Sequence, residues 1–129
     1  MAFRHSSSAE EIYESNERLE FLGDAVLGAV IADYLFKKFP YKDEGYLTDI
    51  RSKMVSRSQL KTVSHKMGID LYLSYSSADP LINKKSLTGN ALEALVGAVY
   101  LDKGYKSAHN FIIKKIVKPF LDIGELEIS

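Results

Sequence analysis

Three carboxylates in this chain stand where their neighbours lead one to expect none. Glu20 and Asp24 are four residues apart, one turn of a helix, and so share a face; Asp24 sits inside the otherwise uncharged run Phe-Leu-Gly-Asp-Ala-Val-Leu-Gly-Ala-Val-Ile. Glu93 stands alone inside Asn-Ala-Leu-Glu-Ala-Leu-Val-Gly-Ala-Val-Tyr, with Asn90 three residues earlier and therefore stacked beside it. Like charges at such spacing repel, and a carboxylate buried without a partner either costs several kcal/mol or takes up a proton. A cation is required, and two sources are open. One is a Lys or Arg forming a structural ion pair, for which the sequence nearby offers only Arg18. The other is a hard divalent ion: carboxylates plus one amide form an oxygen-only donor set that suits magnesium, with manganese as a substitute, and not zinc or copper.

The segments carrying these acids read as helices that are apolar nearly all round, the pattern of elements buried at the centre of a bundle. Gly23 and Gly97 in their interiors each cost about 1 kcal/mol relative to alanine, which two backbones crossing closely would explain. Almost every other segment also has helical period and none alternates like a strand, so the expected fold is all-α. A first helix is predicted from an Asn16 cap to about Lys38, before Pro40. A second runs from about Glu44 to Arg57 with Leu47, Ile50, Met54 and Val55 inward, and a third is capped by Ser58 and closed by Gly68. From Ile69 to Leu87 the composition predicts a short helical turn and then an exposed loop carrying Lys84 and Lys85. Thr88 is expected to cap a helix from Gly89 to Asp102, closed by Gly104, and a last amphipathic helix to start near Ser107 and meet Pro119.

The whole chain of 129 residues, 46% hydrophobic, is the size of one domain able to bury a core. Seventeen basic residues balance seventeen acidic ones, so any grip on a polyanion must come from local patches and not from net charge. The absence of cysteine removes disulfides and thiolate zinc sites and fits a cytoplasmic location. The apolar stretch from Phe21 to Phe36 is broken by Asp24 and Asp33 and is shorter than the roughly 20 residues a membrane crossing needs; no membrane partner is expected. A ferritin-like di-iron site would need Glu-x-x-His pairs, which are missing, and His5, His65 and His109 are scattered. No Gly-rich phosphate loop, nucleophile elbow or Cys-x-x-Cys occurs, so no nucleotide cofactor is expected.

The run Asn16-Glu17-Arg18-Leu19-Glu20-Phe21-Leu22-Gly23-Asp24 closely resembles the signature of the ribonuclease III family. The segment from Leu92 through Glu93 and Gly97 to Asp102, with Gly104, looks like that family's other catalytic block. Between them, Phe39-Pro40, Asp43-Glu44-Gly45, Leu47, Arg51, Val55 and Leu60 fit its intermediate pattern. Ala2-Phe3-Arg4-His5-Ser6-Ser7 looks like a drifted Ala-Leu-Thr-His-Arg-Ser, which implies a first family helix upstream. The resemblance implies that residues 1–129 form a ribonuclease III catalytic domain, a dimeric helical endonuclease cutting double-stranded RNA with magnesium. Its products would carry 5′-phosphate and 3′-hydroxyl ends with two-nucleotide 3′ overhangs.

Carried over by position, Glu20, Asp24, Asn90 and Glu93 match the metal-binding residues, with Asp24 and Glu93 catalytic. Glu17 and Glu44 match supporting acids, and Phe21 matches a residue that packs across the homodimer interface. Arg51, Lys53, Arg57 and Lys61, with Lys84 and Lys85, could reach RNA phosphates; singly, each reads more often as a solvated helix face. The family pattern usually has aspartate where Asn90 stands. An amide oxygen still ligates magnesium and relieves repulsion among the acids, so cleavage with looser ion binding is expected. No double-stranded-RNA-binding domain follows the last helix, which predicts low RNA affinity. The alternative is a non-catalytic ribonuclease III-like structural or RNA-binding module, in which several of these acids would have been lost.

Overall fold

The computed structural model describes the backbone of residues 9–127 except 69–83, and the side chains of residues 15–68 and 91–127. All regular structure among these residues is helical. Helix α1 (Ala9–Lys38) is followed by α2 (Glu44–Met54), α3 (Arg57–Lys66) and α4 (Lys84–Ile112). A π-helical turn (Ile113–Val117) then leads into the short α5 (Lys118–Phe120) and α6 (Ile123–Glu127).

α1 and α4 are the two apolar helices, and they cross at the centre of the molecule. Val26, Leu27, Val30, Ile31 and Leu35 of α1 meet Leu92, Val96, Ala108 and Ile112 of α4; α2, α3 and the C-terminal turns close the core with Ile50, Met54, Leu60, Val63, Ile116 and Leu126. At the crossing there is no room for a side chain. A β-carbon on Gly23 would collide with the carbonyl of Glu93, and one on Gly97 would lie 2.5 Å from the carbonyl oxygen of Leu19. The expected close approach of two backbones is therefore present, and it sets Glu93 directly against the Gly23 turn.

Several boundaries differ from those predicted. α1 starts at Ala9, so Asn16 lies inside the helix and does not cap it; Ala9, Glu10 and Glu11 are good helix formers, and acids near an N-terminus are favoured by the dipole. α2 stops at Met54, and Ser56, not Ser58, caps α3, its hydroxyl accepting the amide of Gln59 at 3.3 Å. Asp43 caps α2 by accepting the amide of Tyr46 at 2.9 Å. Gly68 does follow α3 with positive φ. Helix α4 begins at Lys84, which removes residues 84–87 from the expected loop and puts Thr88 within the helix; the rest of that loop lies outside the described residues.

Gly104 breaks α4 as expected, with φ 89° and ψ 177°, a backbone region that side chains exclude, but the helix resumes at once and not near Ser107. Pro119 does not end it either. The amide of Lys118 bonds to the carbonyl of Ile113, one residue further back than in an α-helix, and this widened turn takes the chain past a proline that has no N–H to donate.

Two long-range ties fix the periphery. His109 Nε2 lies 3.2 Å from Asp33 Oδ2, joining the end of α4 to α1. α6 is held on α2 by the Tyr46 hydroxyl donating to Glu127 at 2.7 Å and the Lys53 ammonium donating to the Leu126 carbonyl at 3.0 Å. No helix among the described residues is long and apolar enough to cross a membrane.

Candidate active site

The glycine crossing decides what the acids do. With Glu93 pressed on the Gly23 turn, its carboxyl reaches Asp24, the next residue of α1, and the two side chains share a hydrogen bond. Two carboxyl groups can hydrogen-bond only if one holds a proton. Burial chiefly, then the hydrogen bond and charge of Asp24, push the Glu93 carboxyl up to about 7, with a further upward push from Glu20. Glu20 is itself raised, first by burial and then by the charge of Glu17. The negative charge of the cluster is thus under-compensated, as the spacing of the acids requires.

The structure also brings in a base that sequence proximity did not identify. Arg57, at the start of α3, acts on both Glu20 and Glu93 and pulls each carboxyl back toward ionisation. In the sequence it reads as one of several candidate RNA contacts, and nothing in helical periodicity relates residue 57 to residues 20 and 93. Arg18, the base nearest the acids in sequence, is exposed on α1 and lines a groove beside Phe21.

The predicted site residues thus fall into separate groups. Glu17, Glu20, Asp24 and Glu93 form one electrostatic cluster. Glu44 does not join it: it lines a groove with Ala32, Leu35, Phe36 and Arg51, and Ala32 lies eight residues, about 12 Å of helix, beyond Asp24. Lys53 is engaged internally, with Asp49 at 3.2 Å and with the Leu126 carbonyl, while Lys61 is exposed on α3. The side chains of Asn90, Lys84 and Lys85 lie outside the described residues. Phe21 is 80% exposed and borders an apolar groove with Leu19, Leu22 and Leu101.

Among the described residues no three acidic or imidazole side chains converge tightly enough to enclose a metal ion. The donor chemistry nevertheless fits magnesium, which keeps several of its waters and takes only one or two protein carboxylates directly. Asp24 and Glu93 are the carboxylates that could supply that pair, and Glu20 stands within electrostatic reach of Glu93.

The model of a family described as Ribonuclease-III-like matches residues 1–120 of the sequence. The chain belongs to the ribonuclease III family. It is 46% identical over 129 residues to Ribonuclease 3 of Azobacteroides pseudotrichonymphae, a match covering 97% of this chain and 49% of that protein. With Ribonuclease 3 of Zunongwangia profunda it shares 48% identity over 114 residues, 86% of this chain and 45% of that one. The chain spans about half the length of these curated relatives. Its fold is similar to that of the nuclease domain of ribonuclease III from Campylobacter jejuni, with a TM-score of 0.72 and 35% identity over 81% of this chain and 76% of that one. The Campylobacter structure is described for flexibility in a region involved in dimer formation. Within the ribonuclease III family, the crossing of α1 and α4 therefore belongs to a nuclease-domain fold.

Proposed function

We propose that this chain is a metal-dependent endoribonuclease that cleaves double-stranded RNA as a homodimer. The observation that carries the reading is the meeting of Asp24 and Glu93 across the glycine crossing, with Glu20 and Glu17 adding negative charge from α1. Asp24 and Glu93 would hold magnesium, or manganese in its place, with Glu20 and the amide of Asn90 completing the set. A bound divalent ion supplies charge neutralisation at the phosphate and lowers the pKa of a coordinated water.

The chain's own residues do the rest. Glu93, half-buried and protonated near neutrality, shares that proton with Asp24 in the metal-free chain and would release it as the cluster takes up a cation. Glu20 and Glu17 keep the local potential negative, which draws cations to this one turn of a chain with no net charge. Water attack on phosphorus with departure of the 3′-oxygen would leave 5′-phosphate and 3′-hydroxyl ends. In a dimer, two such sites cutting opposite strands at an offset would give two-nucleotide 3′ overhangs.

The dimer contact we assign to the exposed Phe21 and its groove, a second copy providing the cover. Arg51 on α2 and Lys84 and Lys85 on α4 are the bases we assign to RNA phosphates, with Glu44 a supporting acid at the edge of the site. A cytoplasmic location agrees with a chain free of cysteine.

The test is cleavage of a long labelled RNA duplex over a magnesium titration, beside Glu93→Gln and Asn90→Asp. We expect metal-dependent cutting that Glu93→Gln reduces by more than about 100-fold, beyond the 10–100-fold typical of residues that only support a metal ligand. Asn90→Asp is expected to lower the magnesium requirement. A folded wild-type chain that cuts at no concentration of magnesium or manganese would instead be a non-catalytic module.

A further inference from the structure

Three elements meet around a concavity of about 640 Å³ that holds none of the clustered acids. α1 brings Tyr34 and Lys38 to it, and α3 brings Lys66. The consecutive residues 117–125 form the remaining wall among the described residues, curving through the extended backbone of Leu121 between α5 and α6. Lys38 lies fourteen residues, about 21 Å of helix, beyond Asp24. The helix dipole favours a lysine in the last turn of α1 and again in that of α3. It gives no reason for both to meet Lys118 of α5 at one cavity.

All three lysines are exposed, and among the described residues none is in an ion pair, whereas Lys37, the neighbour of Lys38, is held by Asp33 at 3.1 Å. Like charges gathered at one concavity repel, and an anion relieves that repulsion. The Lys38 ammonium stands 5.8 Å from the centre of the Tyr34 ring, so cation and aromatic face lie side by side, and Phe120 adds a second half-buried ring. Two carboxylates complete the lining. Asp122 is occupied, accepting the amide of Glu125 at 3.3 Å, while the exposed Glu125 side chain is an acceptor at the rim. A ligand that answers all of these carries negative charge, a flat apolar face and hydrogen-bond donors.

We propose that this cavity binds a nucleoside monophosphate, free or as the end of an RNA strand. Its phosphate sits among Lys38, Lys66 and Lys118, its base lies on the aromatic wall, and a ribose hydroxyl or base amine donates to Glu125. The volume falls among those of small-ligand cavities, roughly 300–1,000 Å³. A concave site of this size takes one nucleotide and not the convex flank of a duplex, and a lone phosphate would leave the rings and Glu125 unused. The cavity shares no residue with the acid cluster, so the inference goes beyond the nuclease reading and does not depend on it.

Equilibrium dialysis of the purified chain against labelled AMP, with EDTA present to remove divalent ions, tests the site directly. We expect a dissociation constant below about 1 mM. Lys66→Gln and Lys118→Gln should each weaken binding about fivefold, and the pair together by more than about tenfold. Lys114→Gln, an exposed lysine outside the cavity, and Glu93→Gln, in the acid cluster, should bind AMP as the wild type does.

Competition then separates the two sources of the ligand. A 5′-phosphorylated RNA tetranucleotide that displaces AMP more strongly than unlabelled AMP does identifies a strand end; a weaker competitor identifies the free nucleotide. No AMP binding at several millimolar overturns the proposal, as does an equal loss in Lys114→Gln. Inorganic phosphate or a 5′-hydroxyl duplex that competes as well as AMP also overturns it, the site then being a simple anion or backbone contact. A wild type that cuts RNA but binds no AMP leaves the nuclease reading standing and removes only this cavity.

Discussion

Glu93 carries a proton that its unfolded counterpart does not, and this has a measurable sign. Its carboxyl is raised from the ordinary 4.5 to about 7, so between those values the folded chain binds more protons than the unfolded chain. Stability contributed by that proton is complete below about 4.5 and is lost as pH rises through about 7. Differential scanning calorimetry of the metal-free protein should therefore show the melting temperature falling by a few degrees from pH 5 to pH 8. In Glu93→Gln, which keeps a hydrogen-bonding group but no titrating proton, that fall should flatten. Magnesium should raise the wild-type melting temperature more at pH 8 than at pH 6, because at pH 6 the ion competes with the proton. An equal magnesium effect at the two pH values would mean that Glu93 is not where the ion binds.

The glycines divide into those the helix crossing needs and those it does not. A methyl group on Gly23 or Gly97 meets backbone carbonyls of the opposing helix, which cannot swing aside as a side chain can. Gly23→Ala and Gly97→Ala should push α1 and α4 apart and cost about 1–3 kcal/mol in chemical denaturation, outweighing the helix propensity gained. Gly28, on the same helix with nothing within 4 Å of its added carbon, is the control. Gly28→Ala should stabilise the protein by up to about 1 kcal/mol. Because the crossing also joins Asp24 to Glu93, Gly23→Ala should weaken manganese binding while Gly28→Ala leaves it unchanged. Equal effects of the two substitutions would show that close backbone approach does not build the site.

Considered whole, the protein leaves an exposed aromatic beside its acid cluster. Phe21 follows Glu20 directly, so a second copy seated on Phe21, as we propose, would lie next to the acid cluster. Burying one phenyl ring contributes about 1.5–3 kcal/mol, and a symmetric dimer buries two. Phe21→Asp should thus raise the dimer dissociation constant by at least about tenfold in sedimentation experiments. α6 is clamped on α2 through Tyr46 and Lys53 with Leu126 buried beneath. Leu126→Ala should cost about 2–3 kcal/mol of stability without affecting manganese binding, since the clamp and the acid cluster share no residue.

By itself the sequence determined the all-helical fold, the two apolar helices, their misplaced acids and the glycines that let them touch. These are properties of residue type and spacing within single segments, where periodicity of 3.6 and the cost of a lone buried carboxylate apply directly. Helix ends were less legible, because Asn16, Ser58 and Thr88 are competent caps that flanking helix formers overrode, and because a π-turn carries the chain past Pro119. Only the tertiary structure decided that Glu93 shares a hydrogen bond with Asp24, that Glu44 stands apart, that Lys53 is spent on the Leu126 carbonyl, and that the charge of Arg57 is felt at Glu20 and Glu93. Each of these depends on the angle and register at which separate helices meet. That geometry is set by the summed packing of the core, and no pattern within one helix encodes it.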